Sequence, residues 1–307
     1  MSAPNSAAHL GSPAEVPFVK SHRSQRERRL NLTVRGVYLL VALLGAVIMV
    51  FPLFWMLSTA LKVSGDVFTS PPIIFPPHPQ WNNFSDGINS PAVPDNFLHY
   101  IWNTSWYTVL EVIGDTLSGA VVAFGFARLR ARGSSILFFL VLSTIMIPFQ
   151  ATLIPQIILF RVLGWIDTPL PLIVPTFFGN AFNIFLLRQF FRGIPRELDE
   201  AATIDGLGYP GIFLRIILPL SKPALAAVAV FSFVFHWNDL LGPLVYLNTT
   251  SKYPVSLALQ AFQGAYGFAE WNLLMAMALL SALPCLVLFF VAQRYFIQGI
   301  VVSGVKG

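Results

Sequence analysis

The sequence predicts an all-α integral membrane protein, with six transmembrane helices and a helical cytoplasmic loop between the fourth and the fifth. Three observations carry that prediction. Of 307 residues, 55% are hydrophobic and only 11% are charged, with a mean hydropathy of +0.68. A soluble domain carries roughly a quarter charged residues, so this chain lacks a water-facing surface. Six runs are apolar enough to cross a hydrocarbon layer, which takes roughly 20 helical residues. They cover approximately 36–61, 100–127, 134–160, 168–187, 223–247 and 272–293. The third observation is sidedness. Of the 19 Lys and Arg, all but Lys62, Arg161 and Lys252 fall in the N-terminal tail, the 2–3 and 4–5 loops or the C-terminal end. Basic residues stay on the cytoplasmic side, which puts both termini there. The net charge of +5 expresses this asymmetry and gives no reason to expect a nucleic-acid partner.

The elements follow in order. Residues 1–35 are polar, Ser/Pro/Ala-rich and then basic, and read as a disordered cytoplasmic tail whose basic end lies on anionic headgroups. They are no cleaved signal peptide, because the apolar run behind them is too long and lacks a small-residue cleavage site. Residues 36–307 read as one domain of six helices. The first span has no charge, and 62–99, rich in Pro and Asn, reads as an extended outer loop. The second span holds Glu111 and Asp115, four residues apart and so on one helix face. A central acid facing lipid costs roughly 2.5–3.5 kcal/mol, so both must face protein or water. A hydrophilic path lining and a structural hydrogen-bonded pair both fit. The third span contains Pro148 and Pro155, as a gating hinge or, the reading favoured here, a static kink.

Asn180 and Asn183 are the polar candidates in the fourth span. Trp237, Asn238 and Asp239 stand midway along the fifth, where an aromatic face beside hydrogen-bonding groups suits a sugar; helix packing suits them equally. His236 reads as a packed polar residue. The single Cys285 allows no disulfide or cysteine zinc site. No HExxH, GxSxG or paired metal-ligand spacing occurs, so neither a catalytic residue nor a metal site is expected.

The 4–5 loop, about 188–222, is long for a compact bundle, and such loops tend to be functional or disordered. This one has helical character. Pro195 can open a helix, and Glu197, Asp199 and Glu200 then suit the positive end of its dipole. Leu198, Ala201, Ala202 and Asp205 share one face, with Ala201 and Ala202 small enough to admit a close neighbour. Gly206 is a natural stop. A second short helix from near Pro210 lines up Ile212, Phe213, Ile216 and Ile217 until Pro219 ends it.

Glu200-Ala201-Ala202, three residues, Gly206, nine residues, Ile216, one residue, then Leu218-Pro219 resembles the EAA loop of ABC-importer permeases at every fixed position. The likeness extends from about residue 36 to the end, through "NIFLLRQFFRGIP", "HWNDLLGPLVYL" and "FIQGIVVSGVKG". It is closest to the second permease subunit of carbohydrate importers of the maltose and glycerol-phosphate type. The resemblance implies that Glu200, Ala201, Ala202, Asp205, Gly206, Ile216, Leu218 and Pro219 dock into a cytoplasmic ATPase dimer. It also implies a different second permease, an extracytoplasmic solute-binding protein and a sugar-like substrate. The chain has no GxxxxGK[ST] phosphate loop, so ATP and Mg would be bound by the partner and no cofactor by this chain. An ABC permease for another solute class and an ion-coupled carrier using Glu111 and Asp115 are the alternatives.

Overall fold

The computed structural model describes residues 25–264 and 270–303, with side chains over 34–264 and 270–293. Of the disordered tail expected over 1–35, residues 1–24 lie outside the described residues, as do the closing residues 304–307, whereas 25–35 are helical. Among the described residues every regular element is helical. The chain divides into two units, residues 1–54 and 55–307. In the first, α1 (Gln25–Ala60) starts within the basic stretch and continues through the apolar run into the second unit. Tyr38, Leu43, Val47 and Ile48 are all exposed on it. A helix apolar on every side is stable only where no water surrounds it.

The second unit is built around α3 (Phe97–Arg128), which touches α7 (Ala181–Gly193), α11 (Lys222–Trp237) and α6 (Leu170–Ile173). The α3–α7 contact follows from small residues at four-residue spacing: Gly119, Ala123 and Ala127 are all buried. Small side chains let two membrane helices approach closely, which gives dispersion contacts that lipid cannot match. Leu187 and Phe191 fill the facing positions.

Among the described residues four helical stretches are long and apolar enough to cross a membrane: Val34–Ala60, Phe97–Arg128, Leu170–Gly193 and Trp271–Gln293, the third assembled from α6, the 3-10 turn Val174–Phe178 and α7. The last lies within α14 (Trp271–Ser303). The other two spans are broken. The expected third span is α4 (Ser134–Ser143) and α5 (Phe149–Val162), bent by 97° at Ile147–Pro148. That is far more than the static kink expected, and Pro155 lies inside α5 without interrupting it. The expected fifth span, 223–247, also fails as a single helix. α11 ends at Trp237, and α12 (Leu241–Tyr246) begins after a break. Asn238 and Asp239 therefore stand at a helix end, not midway along a helix. Leu240, Leu241 and Leu244 follow the polar pair closely, so hydropathy averaged over a span does not register the break.

The 62–99 segment is more ordered than an extended loop, because it contains a turn at Ser64–Asp66 and α2 (Asn82–Ile88). Asn83 is buried there and fully engaged. Its Nδ2 donates to the Ala60 and Lys62 carbonyls at 2.8 Å each, and its Oδ1 accepts from Asn272 at 3.3 Å. A second knot joins the segments near residues 167 and 248–253. Asp167 accepts from the Asn248 and Thr249 amides at 2.9 Å, from the Thr249 hydroxyl at 2.6 Å and from Lys252 Nζ at 2.9 Å. These four donors hold its carboxyl well below the usual carboxylate range. Asn103 of α3 donates to the Ser251 and Tyr253 carbonyls, and α13 (Val255–Ala261) follows.

Candidate functional site

Two regions of the second unit collect the candidate residues, and α3 reaches both. The first is the 188–222 segment. After α7 the chain forms α8 (Glu197–Ile204), with Glu197, Asp199 and Glu200 in its first turn. Arg196 occupies the position before the helix, so Pro195 lies one residue outside it. The helix ends as the glycine suggests. Gly206 has φ +85°, its amide donates to the Thr203 carbonyl at 3.0 Å, and the Leu207 amide donates to that of Ala202 at 2.9 Å. This pair of bonds is a Schellman closure, which uses a left-handed residue to satisfy the last carbonyls.

α9 (Tyr209–Ile212) starts the return limb. It passes through a π turn at Phe213–Ile217 into α10 (Leu218–Leu220). Pro219 thus does not end the helix where expected. A proline ring collides with the carbonyl four residues back, and the wider π turn just before it relieves that crowding.

Only one side of α8 is buried. Ala202 is 4% exposed and packs with Ala127, Phe191 and Ile212. Leu198, Ala201 and Asp205, read as sharing a face with Ala202, are all exposed, as is Glu200. On the return limb Ile217 is fully buried, Ile216 and Leu218 are half-buried and Pro219 is exposed. Beyond this apolar packing, Arg128 ties the hairpin to α3 through polar contacts. Arg128, itself buried, donates from Nη2 to the Ile194 carbonyl at 2.9 Å, and its Nε lies 3.3 Å from Asp199 Oδ2. Sequence reading counted Arg128 only as a topological charge.

The second region is a cavity of about 320 Å3 lined by Glu111, Asp115, Gln156, Thr176, Asn180, His236, Asp239 and Tyr246. Glu111 and Asp115 are each only 4% exposed and face it from α3. His236 bridges them: Nε2 lies 3.0 Å from Asp115 Oδ2, and Nδ1 lies 3.7 Å from Glu111 Oε2. Asp239 joins from the break after α11, accepting from the Gly242 amide at 3.3 Å. The far wall is the 3-10 turn Val174–Phe178, tied to α3 by Ser118, whose hydroxyl donates to the Thr176 carbonyl at 2.9 Å. Gly114 makes that approach possible, since a Cβ there would strike Thr176 Oγ1 and lie 2.8 Å from the Phe177 ring.

The structure separates the remaining candidates. Asn180 stays at the cavity, its Oδ1 capping α7 by accepting from the Phe182 and Asn183 amides. Asn183 is buried in helix packing and donates to Ser232 at 3.1 Å. Trp237 is buried, stacked on Phe233 with its N–H given to the Ser281 carbonyl at 3.1 Å. With Asn238 it borders a different cavity, shared with Ser256 and Cys285. His236, Gln156 and Tyr246 are lining residues that sequence reading missed.

Comparison with known proteins agrees with this architecture. Residues 116–302 match the family model described as "Binding-protein-dependent transport system inner membrane component". The osmoprotective compounds uptake permease protein GgtD of Synechocystis is 37% identical over 226 residues, 73% of this chain and 74% of that protein. The arabinooligosaccharides transport system permease protein AraQ of Halalkalibacterium halodurans is 34% identical over 68% of this chain and 75% of its own length. The diacetylchitobiose uptake system permease protein DasC of Streptomyces coelicolor is 30% identical over 84% and 92%. Among solved structures, a bacterial ABC transporter that imports the acidic polysaccharide alginate shares the fold. Its TM-score is 0.74 at 24% identity, covering 89% of this chain and 98% of that one. By its helices and its matches, this multi-pass membrane protein belongs to the family of binding-protein-dependent transport system inner membrane components.

Proposed function

We propose that this chain is one permease half of an ATP-driven importer for sugar-like solutes, with both termini cytoplasmic. The observation that carries the reading is the acidic hairpin. It exposes Glu197, Glu200, Ala201 and Asp205 while Ala202 and the Arg128–Asp199 contact fix its other side to α3. An exposed docking face on an anchored element is what a coupling surface requires. Relatives that carry arabinooligosaccharides and diacetylchitobiose support the sugar-like substrate.

In this reading a cytoplasmic ATPase dimer binds ATP and Mg and receives the hairpin in a cleft. A second permease completes the path, and an extracytoplasmic binding protein delivers the solute. Closure of the ATPase pair displaces the hairpin, and Arg128 carries the displacement into α3, whose Glu111 and Asp115 wall the cavity. Coupling of this kind is a free energy shared by two sites through an element with two positions.

The test is reconstitution of the complete complex in liposomes, with ATP supplied on the hairpin side and binding protein with maltotriose, arabinotriose or diacetylchitobiose on the other. Uptake that depends on ATP and is lost in Gly206→Val supports the reading. The Glu111–His236–Asp115 contact favours one alternative, a proton-coupled carrier. Uptake driven by a pH gradient without ATP would establish that alternative instead.

A further inference from the structure

The chemistry of the cavity bears on which solutes the importer takes. Glu111, Asp115, Asp239 and His236 line it, and no Lys or Arg does. Most other polar groups on the wall are already committed. Tyr246 donates to Gln156 Oε1 at 2.9 Å, and Gln156 Nε2 donates to Thr152 at 3.0 Å. Asn180 Oδ1 caps α7, and His236 Nε2 is taken by Asp115.

Glu111 is different. It is 4% exposed, and among the described residues no protein donor lies within hydrogen-bond distance of its carboxyl group. Its nearest ionic neighbour is His236 Nδ1 at 3.7 Å. The open side of Glu111 is the cavity, so an occupant that displaces water there must donate to the carboxyl group, because a buried acceptor left without a donor is costly. An occupant that donates hydrogen bonds completes the site. Hydroxyl and ammonium groups donate. A carboxylate only accepts, meets no Lys or Arg here and faces Glu111, Asp115 and Asp239, a juxtaposition of like charges that is strongly unfavourable.

We infer that the cavity sorts solutes by charge sign, admitting neutral polyhydroxylated or amine-bearing solutes and rejecting carboxylated ones. The inference rests on the importer reading for the traffic through the site and adds the solute class.

The test uses the complete transporter, its other chains free of cysteine. Cys285→Ala removes the thiol of this chain, and Phe235→Cys places one on the cavity wall, where the native ring is 69% exposed. Two methanethiosulfonates are compared, one bearing trimethylammonium and one sulfonate, with rates normalised to a free thiol. The cationic reagent is expected to react faster by about tenfold or more, the enrichment that a cleft of one charge sign gives a counter-ion. The ratio should fall toward one in Glu111→Gln/Asp239→Asn. A ratio near one in the parent overturns the inference whatever the protein carries.

In a second arm, maltotriose, glucosamine trimer and trigalacturonate compete with a neutral maleimide for the same thiol. The first two are expected to slow labelling and the third to leave it unchanged. Equal protection by trigalacturonate, or protection by none of the three, overturns the solute class. Neither result touches the ATP dependence of uptake, which judges the importer reading separately. Phe149→Cys, also on the wall, repeats both arms if Phe235→Cys fails to assemble.

Discussion

At the scale of single residues, two left-handed positions make opposite predictions. Gly206 sits at φ +85° with no atom within 4 Å of the place a Cβ would occupy. Substitution there is therefore a matter of backbone strain alone, about 1–2 kcal/mol for a side chain with a Cβ. Gly206→Val is expected to reach normal abundance yet lose ATP-driven uptake, while Gly206→Asn keeps most of it, because Asn tolerates this conformation. Wild-type uptake by Gly206→Val with its ATPase attached would refute the coupling role.

Asp167, at φ +60°, is the other case. Its depressed pKa means the knot with Asn248, Thr249 and Lys252 is present above the usual carboxylate range and is lost only as pH falls through the lower native value. Asp167→Asn keeps the backbone and drops the charge, so faster proteolysis near Lys252 at neutral pH is expected, with little change in abundance. Gly206 was legible in sequence because a helix stop is local. The partnership of His236 was not, because Asp115 lies 121 residues away and nothing nearby in the sequence marks it.

Elements show where hydropathy stops informing. Apolar residues flank the breaks at Ile147–Pro148 and after Trp237 closely enough that averaged hydropathy shows the spans and hides the interruptions. Pro148 signalled a disturbance but not its 97° size, which depends on what packs on either side. The hairpin was more legible, because its acidic first turn and its glycine are local signals. Its buried side was less so, since only contact with Phe191 and Ile212 decides that Ala202, and not Ala201, turns inward.

Two predictions belong at this scale. Gly114→Val forces α3 from the Val174–Phe178 turn, an overpacking of about 1–3 kcal/mol, and should lower the thermal midpoint of the solubilised protein together with uptake. Glu111→Gln/Asp115→Asn separates the two roles left open for these acids. A path lining predicts normal assembled complex with altered rate or selectivity, whereas a structural pair predicts complex and uptake falling in proportion. Normal uptake at normal expression would deny both.

For the whole molecule, the open question is orientation in the bilayer. Cysteines at Ser85 and Thr250, both exposed, are expected to react with an impermeant maleimide added to intact cells. Cysteines at Arg132 and Asp199 should react only after permeabilisation. Outside access to position 199 would invert the topology and remove the hairpin from any cytoplasmic partner. The fold class was readable from the full sequence because hydropathy and charge sidedness are summed over many residues, and single errors cancel. The inner arrangement around α3 depends on a few specific contacts, which such sums discard.

Glu111 and Arg128 stand 17 residues apart on one unbroken helix, which is about 25 Å of length. A stiff arm of that length has leverage. A tilt of about five degrees at the Arg128 end swings the other end by about 2 Å, enough to part His236 from Asp115, now 3.0 Å apart. No flexing joint is needed along the way, and α3 runs through this stretch as one helix without proline. In the proposed importer the stroke demanded of the ATPase is then small, and the precision of the coupling lies in the two ends of this arm. Arg128→Met, which loosens one end while leaving the arm intact, is expected to let the ATPase turn over without moving solute. The ratio of ATP hydrolysed to solute transported measures that slippage.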